Sequence, residues 1–268
     1  MSDTAPHTPV PPHPAATLIL LRDGPEGLEL LAIERHAGLR FAPGATVFPG
    51  GRLEAADHDQ SWRDHWRRDR RPGGLPADLA HRVAAVRECV EECGILLSRD
   101  PPDASVLADL RAAMTAGEGF GPVMARAELV PALECLAPLA RWVTPETLPR
   151  RFDTLFFLAP APPGQEPLCD GGEAVGALWA TPRRLLAEEK AGCRRLVYAT
   201  RMTLLRLAGC ADVATAMACA NGVAVPADGL PPPILPQLVE TAAGPVWRIP
   251  EGCGFLPLET SAEHVRLG

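Results

Sequence analysis

The chain has 268 residues, of which 47% are hydrophobic and 22% charged, the composition of a globular protein with one large domain. Its net charge is −7, which argues against a nucleic-acid-binding protein, since such proteins present a basic surface. None of the eight cysteines forms a C-x-x-C pair, and the N-terminus has no secretory signal pattern. Because no apolar run approaches the ~20 residues of a membrane span, we expect a cytoplasmic protein without a membrane partner.

Proline, at 30 positions, divides the chain into regions of different character. Residues 1–15 carry five prolines and predict a disordered leader. Apolar runs separated by turns predict a folded domain over residues 16–210, followed by a proline- and glycine-rich C-terminal extension over residues 211–268. Within the domain, the polar, Arg-rich residues 52–77 predict one insertion, and residues 100–140 predict a second, helical one.

Short apolar runs predict the strands and helices of this domain. Strands at residues 17–21 and 28–33 flank a D-G-P-E-G turn and predict a hairpin, and a third strand at residues 45–48 follows. Later strands are predicted at residues 95–97, 152–158 and 175–179. Helices are predicted at residues 106–114, 127–136, 182–192 and 196–207.

The clearest helix signal runs from about Pro76 to Cys93. At 100° per residue, one face of this helix is an apolar stripe of Leu79, Val83, Val86, Val90 and Cys93. Glu88, Glu91 and Glu92 project from the opposite face at positions i, i+3 and i+4. Neighbouring carboxylates repel one another unless a cation lies between them, and Mg²⁺ or Mn²⁺ prefers oxygen ligands. The spacing therefore indicates a divalent-metal site, with a solvated acidic face as the alternative.

The pattern upstream of this helix supports the metal site. Phe48-Pro49-Gly50-Gly51 closes a strand with two glycines, as a backbone that passes close to a ligand requires. Together with the segment R-E-C-V-E-E-C-G at residues 87–94, it resembles the Nudix hydrolase box, G-x5-E-x7-R-E-U-x-E-E-x-G-U, where U is a bulky apolar residue. The second half of the box matches, whereas about 22 residues are inserted in the first half. The first glutamate of the box corresponds to Asp57 when counted from Gly51, and to Leu79 when counted back from Arg87.

A second motif narrows the resemblance to one branch of the family. Nudix enzymes that cleave coenzyme A carry R-[SA]-x3-R-x3-G-x3-F-P-G-G, and this chain is similar to that pattern except that His36 replaces the small residue. The matching positions, which the resemblance implies bind substrate, are Arg35, Arg40, Gly44, Phe48, Gly50 and Gly51. The insertion and the C-terminal extension look most like the divergent peroxisomal-type coenzyme A diphosphatases and their bacterial relatives.

The resemblance implies an α/β fold, the Nudix α/β/α sandwich with a mixed β-sheet, carrying a helical, Arg-rich insertion inside the box. It implies metal-dependent hydrolysis of the diphosphate of coenzyme A or acyl-coenzyme A to 3′,5′-ADP and (acyl-)phosphopantetheine, with Mg²⁺ or Mn²⁺ as cofactor. Two alternatives stay open: a diphosphatase acting on ADP-ribose or another nucleoside diphosphate derivative, and a non-catalytic, nucleotide-sensing Nudix module. A homodimer is compatible with this interpretation, and the sequence does not fix the oligomeric state.

The resemblance also assigns roles at the centre of the site. Glu88, Glu91 and Glu92 are the expected metal ligands, and Glu91 and Glu88 are expected to be catalytic. Glu173, in a loop before a strand, is a candidate base, with an exposed turn residue as the alternative. The expected supporting residues are Arg87 and Asp57.

The Arg-rich insertion has two interpretations. One is a lid that caps the site and binds a 3′-phosphate, and the other is a solvated amphipathic helix. The arginines concerned are Arg63, Arg67, Arg68, Arg70 and Arg71, with Trp62 and Trp66 one helical turn apart. Phe152, at the start of a strand, is a candidate for stacking on adenine, with a core position as the alternative.

Overall fold

The computed structural model describes residues 10–39, 41–68, 74–169, 171–222, 226 and 229–262. The strands of the main sheet are β1 (His13–Gly24), β2 (Gly27–Arg35), β3 (Thr46–Val47), β4 (Gly50–Arg52), β5 (Ala137–Val143), β6 (Phe152–Pro160), β7 (Ala174–Ala180) and β8 (Pro233–Ile234). A second sheet contains β9 (Gln237–Thr241), β10 (Gly244–Arg248) and β11 (Glu259–Ser261). The helices are α1 (Gln60–Arg68), α2 (Leu79–Cys93), α3 (Ala104–Thr115), α4 (Phe120–Arg126), α5 (Pro182–Lys190), α6 (Tyr198–Leu207) and α7 (Val213–Asn221). Within these ranges no helix is long and apolar enough to cross a membrane.

The main sheet is mixed and is organised around β1. Its strand order is β3-β2-β1-β6-β5-β8, with β7 paired to β2 and β4 paired to β1. Along one edge β1 pairs antiparallel with β4 near its start and with β2 near its end, and along the other edge it pairs parallel with β6. The long strand therefore places the two glycines of β4 level with Leu155 and Phe156 of β6, on the opposite edge of β1.

Helices cover both faces of this sheet. Successive β1 side chains point to opposite faces, so Leu18 and Leu20 pack in one core with α2, whereas Ile19 and Leu21 pack in a second core with α6. The cluster on the α2 side also takes in residues of α1, α3 and α4, and the other cluster takes in residues of α5 and α7. The predicted α/β/α sandwich with a mixed sheet is confirmed.

Helix α2 is buried on nearly all sides. It begins at Leu79, three residues later than predicted, because Pro76 and Asp78 form a turn in which the amide of Leu79 donates to the carbonyl of Pro76 at 3.2 Å. It ends at Cys93, followed by Gly94 in the left-handed conformation with φ +67°. Eleven of its fifteen residues are buried, including the whole predicted apolar stripe.

Two predicted elements are wrong, for identifiable reasons. Residues 95–97 form no strand, because the side-chain amide of Gln165 occupies both the N–H and the carbonyl of Leu96, each at 2.9 Å. Residues 127–136 form no α-helix: α4 ends at Arg126, Glu128 has φ +55°, and a short 3-10 helix follows only at Leu133–Cys135.

Described segments towards both ends of the chain contribute more ordered structure than the sequence predicts, and residues 1–9 of the predicted leader lie outside the described residues. Strand β1 begins at His13, inside the predicted leader, where it is paired with Phe152 of β6. In the C-terminal extension, β8 joins the main sheet beside β5. Trp247, Ile249 and Phe255 are buried in the core on the α6 side. The part of the extension that the structure describes is therefore packed against the rest of the fold.

Candidate active site

A cavity of about 820 Å³ lies where β1, β4 and the start of β6 meet the first turn of α6. The predicted site residues that line it are Arg35, Phe48, Gly50, Gly51, Arg87, Glu88, Glu91 and Glu173. Glu92, Asp57 and Gly44 lie outside its walls, and Arg40 lies outside the described residues. The structure thus brings eight residues, separated by up to 138 positions in sequence, around one open space.

The two glycines of β4 permit close contacts that a side chain would block. A Cβ atom at Gly50 would lie 2.4 Å from the backbone oxygen of Ala16 in β1. A Cβ atom at Gly51 would lie 2.3 Å from Oε1 of Glu88. Gly50 fits β4 against β1, and Gly51 leaves room for a carboxylate of α2.

Arg87 connects this carboxylate helix to the loop after β4. It is 4% exposed and forms a two-point ion pair with Asp57, with Nε–Oδ1 at 3.1 Å and Nη2–Oδ2 at 3.0 Å. Its Nη1 donates to Glu88 and Glu91, at 2.9 Å each, and Nη2 also donates to the carbonyl of Arg52 at 3.0 Å. Burial alone would lower the pKa of Arg87, but the hydrogen bond to Asp57 and the neighbouring carboxylates raise it, so Arg87 stays charged.

Glu92 has a different environment from the other two helix glutamates. It is 4% exposed, and its Oε2 accepts a hydrogen bond from the amide of Gly50 at 2.8 Å. Its Oε1 lies 3.7 Å from Nη1 of Arg35. Glu92 therefore links α2 to β4 and β2, and its role as a metal ligand stays a prediction.

Burial disfavours the ionised forms of the three carboxylates of α2. Burial raises the pKa of Glu88 to about 7, although Arg87 acts in the opposite direction. Burial also raises the pKa values of Glu91 and Glu92, and the charge of Glu88 adds to the effect on Glu92. A cation placed beside such carboxylates would favour their ionised forms, so the charge of the site suits a bound metal.

The donor atoms also suit a hard divalent cation, although they are engaged in other contacts. No three carboxylate, histidine or cysteine side chains within the described ranges converge as a ready-made metal site. Glu88 and Glu91 open onto the cavity, yet both accept hydrogen bonds from Arg87. Carboxylate oxygens are the ligands that Mg²⁺ and Mn²⁺ prefer, so Glu88 and Glu91 fit such an ion.

Glu173 reaches the same cavity from the loop before β7. Its side chain is 63% exposed, and Oε2 lies 3.8 Å from Nη2 of Arg35. Arg35 thus lies between Glu173 and Glu92. The loop is attached to the end of α2, because the amide of Leu168 donates to the carbonyl of Cys93 at 2.9 Å. The structure therefore brings a loop carboxylate to the helix carboxylates.

The cavity is also lined by two arginines that the sequence interpretation did not assign to the site. Arg52 follows Gly51 on β4, and Arg150 precedes β6. Both are exposed, and within the described part of the chain neither has a carboxylate partner. The alternation of residues 152, 154 and 156, all of which line the cavity, is the signal that identifies one face of β6 as its wall.

The described part of the Arg-rich insertion packs away from the cavity. Trp62 of α1 is 6% exposed and stacks on Phe120 of α4, with ring centroids 5.6 Å apart. Arg67 lies 3.6 Å from Asp64 of its own helix. No described residue of α1 lines the cavity, so the lid hypothesis is not supported for Arg63 and Arg67. Arg70, Arg71 and the side chain of Arg68 lie outside the described residues.

The sequence is similar to proteins of one known family. A family model described as the NUDT19 Nudix domain matches residues 66–192. The human protein named acyl-coenzyme A diphosphatase NUDT19 is 31% identical over an alignment that covers 59% of this chain and 54% of the human protein. The Gallus gallus protein of the same name is 29% identical, with 59% and 55% covered. This chain spans about half the length of these curated relatives.

A solved structure matches over a larger share of both chains. The crystal structure of a NUDIX hydrolase from Alicyclobacillus acidocaldarius is 31% identical, with a TM-score of 0.67. The match covers 78% of this chain and 96% of that one. Together with the R-E-x-x-E-E-x-G segment on a buried helix beside two glycines, this similarity shows that the chain belongs to the Nudix hydrolase family.

Proposed function

We propose that this protein hydrolyses the diphosphate of coenzyme A or an acyl-coenzyme A, releasing 3′,5′-ADP and (acyl-)phosphopantetheine. The observation that carries the proposal is the position of Glu88 and Glu91. They line a cavity of about 820 Å³ together with two glycines and Arg52, for which the described residues provide no carboxylate partner. The similarity to proteins named acyl-coenzyme A diphosphatase supports this choice of substrate.

Glu88 and Glu91, together with Glu92, are the residues that would hold Mg²⁺ or Mn²⁺. The ion would neutralise the diphosphate charge and lower the pKa of the attacking water. Arg87 keeps the two cavity-facing carboxylates in place, since its Nη1 contacts both at 2.9 Å while Asp57 fixes the opposite side of its guanidinium. In this arrangement all the polar side-chain contacts of Arg87 are to Asp57, Glu88, Glu91 and the carbonyl of Arg52 among the described residues, so we assign it to orienting the glutamates.

The remaining chemistry requires positive charge and a proton acceptor. Phosphoryl transfer depends mainly on positioning and on neutralising the charge of the phosphate oxygens. Arg52 lies next to Gly51 and is available to bind a diphosphate oxygen. Glu173 and Glu91 are the candidate bases that would take the proton of the attacking water, which adds its oxygen to phosphorus as the bridging P–O bond breaks.

A substrate panel tests the proposal. The protein is incubated with coenzyme A, an acyl-coenzyme A, ADP-ribose and a dinucleoside polyphosphate, each with Mg²⁺ or Mn²⁺, and products are separated by chromatography. We expect 3′,5′-ADP from coenzyme A, no product with excess chelator, and recovery when the metal is restored. Cleavage of ADP-ribose with intact coenzyme A would assign another substrate, and no cleavage of any substrate would favour the nucleotide-sensing module.

Two variants test the role of Glu91 in hydrolysis and metal binding. Glu91→Gln removes a cavity carboxylate, and we expect loss of hydrolysis together with weaker Mn²⁺ binding by calorimetry. Glu166→Gln is a matched control, since Glu166 is exposed and lies outside the cavity wall, and it should behave as the wild type. Unchanged hydrolysis in Glu91→Gln would contradict its assignment as a metal ligand.

A further inference from the structure

The cavity extends well beyond the helix carboxylates, along one face of β6. Residues two apart in a strand share a face, and Phe152, Thr154 and Phe156 of β6 line the cavity together with Arg150 from the bend before the strand. Phe152 is half-buried and meets Phe41 edge to face, with ring centroids 5.2 Å apart. The cavity therefore has a second part, formed by an aromatic pair and an arginine, at a distance from the residues that would hold the metal.

The arginines around the cavity fall into two classes. Arg35 and Arg87 face carboxylates, Glu92 and Glu173 for the former and Asp57, Glu88 and Glu91 for the latter. Arg52 and Arg150 have no carboxylate partner within the described part of the chain. Their charges are not neutralised by described residues, so they are the two arginines of this wall most available to a bound anion.

These two arginines lie far apart across the sheet. Arg52 lies opposite Ala15, and Ala15 lies opposite Thr154, four residues after Arg150. Two strand spacings of about 4.8 Å and two residues of about 3.3 Å place the Cα atoms of Arg52 and Phe152 about 12 Å apart, and Arg150 lies in the bend that precedes Phe152. Such a separation suits a ligand with two anionic groups held apart by a nucleoside, with the aromatic pair available to its base.

The backbone that presents Arg150 is firmly held. Its neighbour Arg151 is 5% exposed and donates to the carbonyl of Thr144 at 3.0 Å and to the carbonyl of Val10 at 2.7 Å. The amide of Phe152 donates to Oγ1 of Thr144 at 3.1 Å. The two consecutive arginines thus have different roles. Arg151 stabilises the connection between β5 and β6, and Arg150 lines the cavity.

We propose that Arg150 and the Phe41–Phe152 pair form a subsite for a phosphorylated nucleoside, in which Arg150 binds a phosphomonoester on the ribose. The choice of coenzyme A as natural ligand rests on the proposed function, with its 3′-phosphate as the group bound. The subsite would make the protein discriminate a 3′-phosphorylated nucleotide from the same nucleotide without that group. It assigns this phosphate to a different part of the chain from Arg63 and Arg67 of α1, which do not line the cavity.

The kinetic test compares two substrates and two variants. We expect Arg150→Gln to raise KM for coenzyme A on the order of tenfold, the loss typical of one charge-assisted hydrogen bond, and to leave KM for dephospho-coenzyme A unchanged. Arg150→Lys should recover part of the difference. Arg183→Gln, on an exposed position of α5 outside the cavity, is the control and should change neither KM. Equal changes for both substrates in Arg150→Gln would overturn the proposal.

A binding measurement keeps this inference separate from the proposed reaction. Calorimetry with adenosine 3′,5′-bisphosphate and with AMP should show tighter binding of the bisphosphate to the wild type, and the difference should disappear in Arg150→Gln. If coenzyme A is not hydrolysed but this preference is observed, the reaction is wrong and the subsite stands. If coenzyme A is hydrolysed and the wild type binds both nucleotides equally, the subsite is wrong and the reaction stands.

Discussion

The adjacent glycines of β4 test the roles assigned to this strand, because an added methyl group should lower activity at one position and stability at the other. In Gly51→Ala the new Cβ would lie 2.3 Å from Oε1 of Glu88, whereas ordinary contact begins near 3.4 Å. The carboxylate must therefore retreat by about 1 Å. In Gly50→Ala the obstacle is the backbone of β1, with the oxygen of Ala16 at 2.4 Å.

The sizes of the two effects follow from what has to move. Displacement of a reacting group by about 1 Å can cost about 100-fold in rate, so we expect that loss in kcat for Gly51→Ala. Its stability should stay within about 1 kcal/mol of the wild type, because a side-chain end moves and alanine reduces the entropy of the unfolded chain. Gly50→Ala forces two strands apart and should lose about 1–3 kcal/mol or more, as overpacked cores do.

Urea unfolding and initial rates of coenzyme A hydrolysis measure both quantities on the same preparations. The expected result is a stable, inactive Gly51→Ala and a destabilised Gly50→Ala. Wild-type kcat in Gly51→Ala would show that the position of the Glu88 carboxylate is unimportant for the reaction. Equal destabilisation of the two variants would refute the claim that Gly51 serves the carboxylate and Gly50 the sheet.

Three other substitutions test the contacts around the site. Asp57→Asn should lower the free energy of unfolding by about 1.5–3 kcal/mol, because Arg87 loses its two-point ion pair; a urea midpoint equal to that of the wild type would contradict this. Gln165→Ala should cost about 1–3 kcal/mol and speed amide exchange at Leu96, and unchanged exchange would show that the side-chain amide does not protect that segment. Trp62→Ala should cost about 3–5 kcal/mol with little change in KM, whereas a selective rise in KM for coenzyme A over dephospho-coenzyme A would revive the lid.

Local patterns predicted much of the fold and the centre of the site. The stripe from Leu79 to Cys93 predicted which face of α2 is buried, and the spacing from Gly51 led to Asp57, the residue that pairs with Arg87. The same helical pattern placed Glu92 on an accessible face, although it is buried against β4. Helical periodicity predicts the direction in which a side chain points, but whether that side chain is buried depends on the elements packed there in the tertiary fold.

The features that sequence patterns missed depend on contacts between distant residues. The side-chain amide of Gln165 forms the two backbone hydrogen bonds of Leu96 that a neighbouring strand would otherwise form. The two residues are 69 positions apart in sequence. Arg150 and Arg151 look alike in sequence, and they differ because Arg150 lines the cavity whereas the side chain of Arg151 donates to the carbonyl of Thr144. No local spacing distinguishes a structural arginine from a binding one when the deciding partners are Thr144 and Val10.

The burial of α2 limits how this protein can move. Amides in the middle of a helix with eleven of fifteen residues buried exchange mainly when the whole domain unfolds. The glutamates are thus carried by one of the least mobile elements, and the rearrangements that admit substrate and release products must occur in the surrounding loops. Substitutions that change turnover through motion should map to the loop that carries Glu173, whereas substitutions in α2 should alter chemistry and stability together.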